Sequence, residues 1–374
     1  MKRKFVKLLG NEKLLSIGIP VFAILLSLLV GAIVIAIMGK NPLTAYGNLL
    51  QGSGVLPKLR YAGKQSMLTD FFGLIDLWTP MIFAALAVAV ALKAGLFNIG
   101  IAGQMLAAGF VSTVIIGYNE TLKAPIAKPL ALLIAIMVGG LVGALIGWLK
   151  YQFNINEVVS SIMLNYIIQY VVAFFISDKF RDPVSRQSFK INEAASLTLK
   201  NVEIGGYKYN IPLGFILAVI VAFIILFVFK KTTFGYELKA VGSNRKAAQY
   251  AGINVGKNMV LAMVISGALA GLAGATYYMG YVQSMGVNEL PSMGYDSVAV
   301  ALLGNSNPIG ILFASLLISV ISKGSNYMQS YSGLVPEIAS MITSLILLFS
   351  ACGTFIRYLL KKAVEKMEVK DHVK

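Results

Sequence analysis

Residues 259–281 read MVLAMVISGALAGLAGATYYMGY, a run of 23 residues without a charged side chain. A helix needs about 20 predominantly apolar residues to cross the hydrocarbon core of a bilayer, so this run is long enough to span a membrane. Gly267 and Gly271 lie four residues apart within it, as do Ser266 and Ala270. Small residues at this spacing predict a helix face that a neighbouring helix can approach closely.

Comparable apolar stretches occur along the whole chain. Of its 374 residues, 57% are hydrophobic and 13% are charged, whereas charged residues make up about 25% of a typical soluble domain. This composition excludes a water-soluble domain and a disordered chain, and the single cysteine excludes a disulfide scaffold. Eight segments have spanning length: 17–38, 72–92, 94–118, 130–149, 158–177, 212–229, 259–281 and 336–356.

A further apolar region, residues 296–322, is interrupted by Asn305-Ser306-Asn307-Pro308. Proline cannot donate the backbone hydrogen bond that a continuous helix needs, so we predict two shorter helices here. The prediction is therefore an all-α polytopic membrane protein with about ten transmembrane helices, in a transmembrane domain that covers residues 17–356.

The positive charge of the chain indicates its orientation. Lys and Arg total 32 against 16 Asp and Glu, and cytoplasmic loops of membrane proteins are enriched in Lys and Arg. The excess is concentrated in the N-terminal segment 1–16, the loop 230–257 and the tail 357–374. We therefore place both termini and this loop in the cytoplasm, and the loops 39–71 and 178–211 outside, the second as a candidate for a small external cap. We therefore interpret the excess of positive charge as a sign of membrane topology and not of binding to nucleic acid.

The sequence offers little material for catalysis. Its one histidine, His372, lies in the basic tail and its one cysteine, Cys352, in the last span, so we predict neither a catalytic residue nor a metal site. The nearest approach to an ATP-binding loop, residues 252–258, has three residues between its glycines instead of four and lacks the Ser or Thr that holds Mg²⁺. Acidic residues come near the bilayer only close to span ends, which disfavours a proton-driven carrier.

The loop that precedes residues 259–281 contains a short helix with clear end signals. Asn244 can cap its first turn, and Gly252 is a natural left-handed stop. The small residues Ala247, Ala248 and Ala251 would form a face that another protein could approach closely. A helix of this length is too short to bury a core of its own, so it is either a docking element or an ordinary surface helix.

This loop also resembles a known motif. Residues 235–253, GYELKAVGSNRKAAQYAGI, are similar to the coupling loop in permease subunits of bacterial ATP-binding-cassette (ABC) importers for simple sugars and nucleosides, the family related to ribose permeases. Further segments match in the same order: KAGLFNIGIAGQ at 93–104, Asn156-Glu157 followed by MLNY at 163–166, and Asp296 followed by AVALLGNSNP at 299–308. Phe-Asn-Ile-Gly and Met-Leu-Asn-Tyr favour the nucleoside branch of the family.

The resemblance covers residues 72–356 and implies the fold of a type II importer permease that translocates nucleosides, with a simple sugar as the alternative substrate. It implies three partners, namely a cytoplasmic ATPase that holds ATP and Mg²⁺, an external substrate-binding lipoprotein and a second, different permease subunit, so that this chain is no enzyme and needs no cofactor. Position 102 is Ala where many nucleoside-type relatives have Glu, so no role of that carboxylate carries over. The residues implied to couple to the ATPase are Gly235, Leu238, Ala240, Val241, Gly242, Asn244, Ala247, Ala248 and Gly252.

Amide and aromatic side chains within the spans are candidates for the substrate path. Asn98, Gly100, Gly103 and Gln104 form a glycine-loosened stretch inside the predicted bilayer, and we expect its backbone to be irregular. Asn165 and Gln169 are four residues apart and share one helical face, with Tyr166 beside them. Amides can bond the hydroxyls and base edges of a nucleoside, and aromatic rings can stack on the base. The alternative is that these amides hydrogen-bond neighbouring helices.

Transport across the bacterial plasma membrane is thus the predicted function. A rival of another class is an ion-coupled secondary transporter of a small polar solute. That rival predicts uptake by this chain alone, dependent on an ion gradient and indifferent to ATP.

Overall fold

The computed structural model describes residues 12–335, 337–353 and 362 of the chain. Its elements in the first half are α1 Glu12–Ile37, α2 Pro42–Ser53, α3 Met67–Lys93, α4 Ile101–Ser112, α5 Ala124–Phe153 and α6 Glu157–Phe175. In the second half they are β1 Thr198–Ile204, β2 Tyr207–Pro212, α7 Gly214–Lys231, α8 Thr233–Ser243, α9 Arg245–Tyr250, α10 Val255–Thr276, α11 Met293–Leu303, α12 Pro308–Ser332 and α13 Glu337–Ala351. Single π-helical turns extend α4, α6 and α10, and Glu193–Ala195 forms a 3-10 turn.

Within the described residues, seven helices are long and apolar enough to cross a membrane, namely α1, α3, α5, α6, α7, α10 and α12. Three more, α4, α11 and α13, are apolar but shorter. The predicted apolar segments therefore form helices, while the count of ten spans and the orientation of the termini stay predictions. The basic segments 1–16 and 357–374, on which that orientation depends, lie largely outside the described residues.

The predicted span 94–118 begins with irregular backbone, as expected around Asn98 and Gly100, whereas Gly103 and Gln104 lie in regular helix, which corrects the predicted extent of the irregular stretch. Residues 94–100 form an irregular segment, and α4 begins at Ile101. Gly95 has a φ of 67°, a left-handed conformation that ends a right-handed helix. The Asn98 side chain then accepts a hydrogen bond from the Gly100 N–H at 2.9 Å, which satisfies a backbone group that a helix would have paired.

The interrupted region at 296–322 forms two helices, as predicted. Helix α11 ends at Leu303, and α12 begins at Pro308, the position where a missing N–H does no harm. Asn307 caps α12 by accepting a hydrogen bond from the Ile309 N–H at 3.1 Å. Asn305, with a φ of 53°, helps reverse the chain between the two helices.

The prediction of an all-α protein is wrong at the second predicted outer loop, where β1 and β2 form an antiparallel hairpin. Gly205 and Gly206 both take positive φ at its turn, as tight hairpins require. The Thr198 hydroxyl lies 2.6 Å from a carboxylate oxygen of Asp76, and both residues are buried, so this contact fastens the hairpin to α3. Burial lowers the pKa of the Lys200 ammonium on β1, although the Asp76 carboxylate opposes that shift. The other predicted outer loop contains α2.

Helices α5 and α10 touch through their backbones. Gly139 and Gly143 of α5 face Gly267 and Gly271 of α10. A β-carbon on Gly143 would lie 2.1 Å from the Met263 carbonyl oxygen, and one on Gly139 would lie 2.2 Å from the Gly267 carbonyl oxygen. The predicted packing role of Gly267 and Gly271 is confirmed.

Candidate functional site

The predicted short helix in the loop 230–257 is α9, and its end signals act as predicted. The Asn244 side chain accepts a hydrogen bond from the Ala247 N–H at 3.1 Å, and Gly252 has a φ of 81° just after the helix. A second helix, α8, precedes it and is capped by Thr232, whose hydroxyl accepts a backbone N–H at 3.1 Å. The loop therefore consists of two helices that meet at Asn244, and we call them the loop helices.

Several residues predicted to couple to an ATPase face the protein's own helices. Leu238, Val241 and Ala248 are at most 3% exposed. A β-carbon on Gly235 would lie 2.0 Å from the Val228 carbonyl oxygen, so α8 packs directly on the end of α7. These residues hold the loop helices on the helix bundle and are not available at the surface. Of the remaining predicted residues, Ala240 is half-buried, and Gly242, Asn244, Ala247 and Gly252 are exposed.

The exposed side of the loop helices combines small and aromatic residues. Ala247 and Ala251 are exposed, as predicted, whereas the prediction that Ala248 shares their face is wrong, because Ala248 packs into the core. Tyr236 and Tyr250 are 70% and 93% exposed. Sequence reasoning missed both tyrosines, although their positions outside the apolar stripe of the loop helices could have indicated them.

The junction of the loop helices packs on the turn between α3 and α4. A β-carbon on Gly242 would lie 2.3 Å from the Lys93 carbonyl oxygen, so only glycine allows this approach. The Arg245 guanidinium donates a hydrogen bond to the Gly95 carbonyl oxygen at 3.1 Å. Sequence reasoning missed Arg245, because its partner lies 150 positions away along the chain.

Asn98 and Gln104, predicted for the substrate path, are buried at 1% and 0% exposure. The Asn98 amide donates to the Gln104 side-chain oxygen at 3.1 Å and to the Ser266 hydroxyl at 2.8 Å. Ser266 in turn donates to the Ala87 carbonyl oxygen at 2.7 Å. This network joins α3, α4 and α10 around the irregular segment.

Asn165 performs the same task between α6 and α4. It is 1% exposed, its Oδ1 accepts the Gly103 N–H at 2.9 Å, and its Nδ2 donates to the Ile99 carbonyl oxygen at 3.1 Å. In this structure Asn98, Gln104 and Asn165 therefore join helices, which is the alternative that the sequence left open.

Tyr166 lies on the exposed side of α6, whereas Gln169 shares the face of Asn165 and is half-buried. Tyr166 and its neighbour Tyr170 are 52% and 64% exposed. The Gln169 Nε2 donates to the Asn288 carbonyl oxygen at 2.7 Å, and its Oε1 has no hydrogen-bond partner within the described part of the chain. An aromatic surface is thus exposed on this helix, and the Gln169 amide is half-buried beside it.

Asn165→Leu is expected to destabilise the protein by about 1–2 kcal/mol, because it leaves the Gly103 N–H and the Ile99 carbonyl without partners in a buried place. Thermal unfolding of the purified protein in detergent measures the change. Tyr166→Leu, one residue further along α6 but exposed, is the matched control and should leave the melting temperature nearly unchanged. Equal melting temperatures for the two variants would contradict the role given to Asn165.

Residues 71–351 match the family described as Branched-chain amino acid transport system / permease component. This match covers most of the chain, and the chain belongs to this family. It is therefore a multi-pass membrane protein, in agreement with the seven helices of spanning character among its described residues.

Individual relatives are similar along nearly their whole length. The nucleoside ABC transporter permease protein NupB of Lactococcus lactis is 35% identical over 94% of this chain and 95% of its own. The guanosine ABC transporter permease protein NupP of Bacillus subtilis is 36% identical over 95% of this chain and 99% of its own. The glucose ABC transporter permease protein TsgB13 of Haloferax volcanii is 28% identical over 92% of this chain and 89% of its own. The resemblance found in the motifs is confirmed.

Proposed function

We propose that this chain is a permease subunit of an ABC importer that carries nucleosides across the plasma membrane. The observation that carries the proposal is its similarity, over nearly the full length, to a nucleoside permease and a guanosine permease. A partner ATPase binds ATP with Mg²⁺ and hydrolyses it, and this chain provides half of the passage without covalent chemistry of its own.

The ATPase would dock on the exposed side of the loop helices. Ala247 lets a partner approach closely, and Tyr236 and Tyr250 offer exposed rings that can be buried on binding. Because Leu238 and Val241 fix the same helices to the bundle, a push on their outer side is transmitted inward.

The external lipoprotein would deliver substrate at the opposite end of α3. At the start of this helix the Thr69 hydroxyl donates to the Lys208 carbonyl oxygen on the hairpin at 3.0 Å. At its other end, Lys93 packs against Gly242. The helix has 27 residues and is about 40 Å long, enough to cross a membrane, which supports the proposal that the hairpin and the loop helices lie on opposite sides.

A second, different permease subunit would cover the open side of α6. Two features of this face support the pairing, namely its exposed apolar residues such as Met163 and Ile167, and its exposed rings Tyr166 and Tyr170 with the half-buried Gln169 amide beside them. A water-filled path between two such faces would give a nucleoside rings for stacking and an amide for hydrogen bonding.

Reconstitution tests this function. This chain is inserted into proteoliposomes with a partner ATPase, a second permease and a substrate-binding lipoprotein, and uptake of radiolabelled guanosine is measured with and without ATP. We expect uptake only with ATP and all four components. Uptake by this chain alone, abolished when an ion gradient is collapsed, would instead establish a secondary transporter.

A simple sugar is the second candidate substrate, because the glucose permease of Haloferax volcanii is similar over 92% of this chain. The same proteoliposomes distinguish the two. Unlabelled nucleoside should compete with guanosine uptake, and excess glucose should not. If glucose competed and nucleosides did not, the proposed substrate would be a sugar.

Tyr166→Ala is expected to raise the KM for nucleoside uptake about fivefold, because a stacking ring contributes on the order of 1 kcal/mol. The initial rate of ATP-dependent uptake against substrate concentration measures it. Phe223→Ala removes a similarly exposed ring from α7 and serves as the control, since α7 is not placed at the path. A KM that is the same in both variants would remove Tyr166 from the path.

A further inference from the structure

We propose that Arg245 is a positioning residue that passes movement of the loop helices to the irregular segment before α4, and through that segment to α6. The inference rests on the proposed function and adds the route, inside this chain, by which a push on the loop reaches the helix that carries Tyr166 and Gln169. The route consists of four contacts, and at least one of the two groups in each contact belongs to the backbone.

The first two contacts lie at the junction of the loop helices. A β-carbon on Gly95 would lie 3.0 Å from both the Cα and the carbonyl oxygen of Gly242, so no side chain separates the two backbones. Half-buried Arg245 donates to the Gly95 carbonyl oxygen at 3.1 Å. The loop is thereby held at the irregular segment before α4.

The other two contacts lie at the far end of the irregular segment. Asn165 of α6 holds the Ile99 carbonyl oxygen at 3.1 Å and the Gly103 N–H at 2.9 Å. From Gly95 to Ile99 the chain has four residue steps, at most about 14 Å. Within this short connection the Asn98 side chain fixes the end next to α4, where it bonds to the Gly100 N–H. We therefore expect a displacement of Gly95 to reach α6.

Two other roles for Arg245 make different predictions. If Arg245 contacts the ATPase directly, its loss weakens assembly of the complex. If it only stabilises the loop, its loss lowers the melting temperature and reduces ATP hydrolysis and uptake together. If it passes on movement, the complex assembles and hydrolyses ATP, but hydrolysis no longer drives uptake.

The first experiment measures nucleoside taken up per ATP hydrolysed in proteoliposomes that hold the complete complex. For Arg245→Ala we expect normal assembly, basal ATP hydrolysis close to that of the unaltered complex and a fall of about tenfold in uptake per ATP. Arg245→Lys, which keeps a charge and one donor, should recover part of the loss. Lys246→Ala removes the same charge from the adjacent exposed position and should behave like the unaltered complex.

The second experiment detects the movement itself. Cys352 is the chain's only cysteine, so Cys352→Ser with Tyr166→Cys leaves one exposed thiol on α6. Its rate of labelling by a water-soluble maleimide should change when the complete complex is trapped with ATP and vanadate. Adding Arg245→Ala should remove that change.

Three results would overturn the inference: unchanged uptake per ATP in Arg245→Ala, loss of assembly in this variant, or a trapped-state change in labelling that persists without Arg245. These results are distinct from a failure of the proposed function. In that case the unaltered complex itself would show no ATP-dependent uptake.

Discussion

Gly143→Ala is expected to lower the stability of the folded protein by about 2 kcal/mol or more, although it adds a single methyl group. The new β-carbon would lie 2.1 Å from the carbonyl oxygen of Met263, well inside van der Waals contact. The obstacle is backbone, which cannot rotate away as a side chain can, so α5 and α10 must separate. Thermal unfolding in detergent and the yield of monodisperse protein measure the effect.

The chain provides a matched control three residues away. A β-carbon on Gly140 would find its nearest neighbour, the Val264 carbonyl oxygen, at 3.7 Å, an ordinary contact. Gly140→Ala should therefore leave the melting temperature close to that of the unaltered protein. If both alanines had the same effect, helix propensity and not the close approach of the backbones would explain it.

Gly242→Val is expected to reduce ATP-dependent uptake by more than about tenfold while the protein still inserts into the membrane. Its β-carbon would lie 2.3 Å from the Lys93 carbonyl oxygen and 2.9 Å from the Gly95 nitrogen, so the junction of the loop helices must lift from the turn before α4. The spans themselves remain unchanged by this substitution. Uptake in the reconstituted complex is measured beside the amount of inserted protein.

Ser243→Val is the control for that substitution, because Ser243 is the next residue of α8 and is exposed. We expect it to transport at a rate near that of the unaltered protein. Normal transport by Gly242→Val would show that the contact between the loop helices and the turn before α4 is dispensable.

Local signals made much of this structure predictable. Asn244 and Gly252 mark the ends of α9 because capping and left-handed termination depend only on neighbouring residues. The same holds for Asn307 and Pro308 at the start of α12. The spans follow from apolar length alone, and the coupling motif was recognisable because its residues are contiguous.

The features that the sequence could not show depend on contacts between residues that are distant along the chain. Asn165 reads equally well as a ligand for substrate or as a bond between helices, and only its contacts with Ile99 and Gly103 distinguish the two. The glycines at 100 and 103 indicate irregular backbone near Asn98, but they do not show that it begins at the left-handed Gly95 and ends before Ile101. Ala248 could not be assigned to the buried side of α9, because a helix of six residues shows too little periodicity.

Backbone contact between α5 and α10 also limits which parts of the protein can rearrange. Two helices in contact through side chains can slide, because rotamers adjust as one passes the other, whereas Gly139 and Gly143 leave no such layer against Gly267 and Gly271. We therefore expect α5 and α10 to move as one rigid unit throughout transport. Any rearrangement then occurs in helices outside this pair, such as α6. Helices α5 and α10 are the fixed reference relative to which the movement of the other helices is measured.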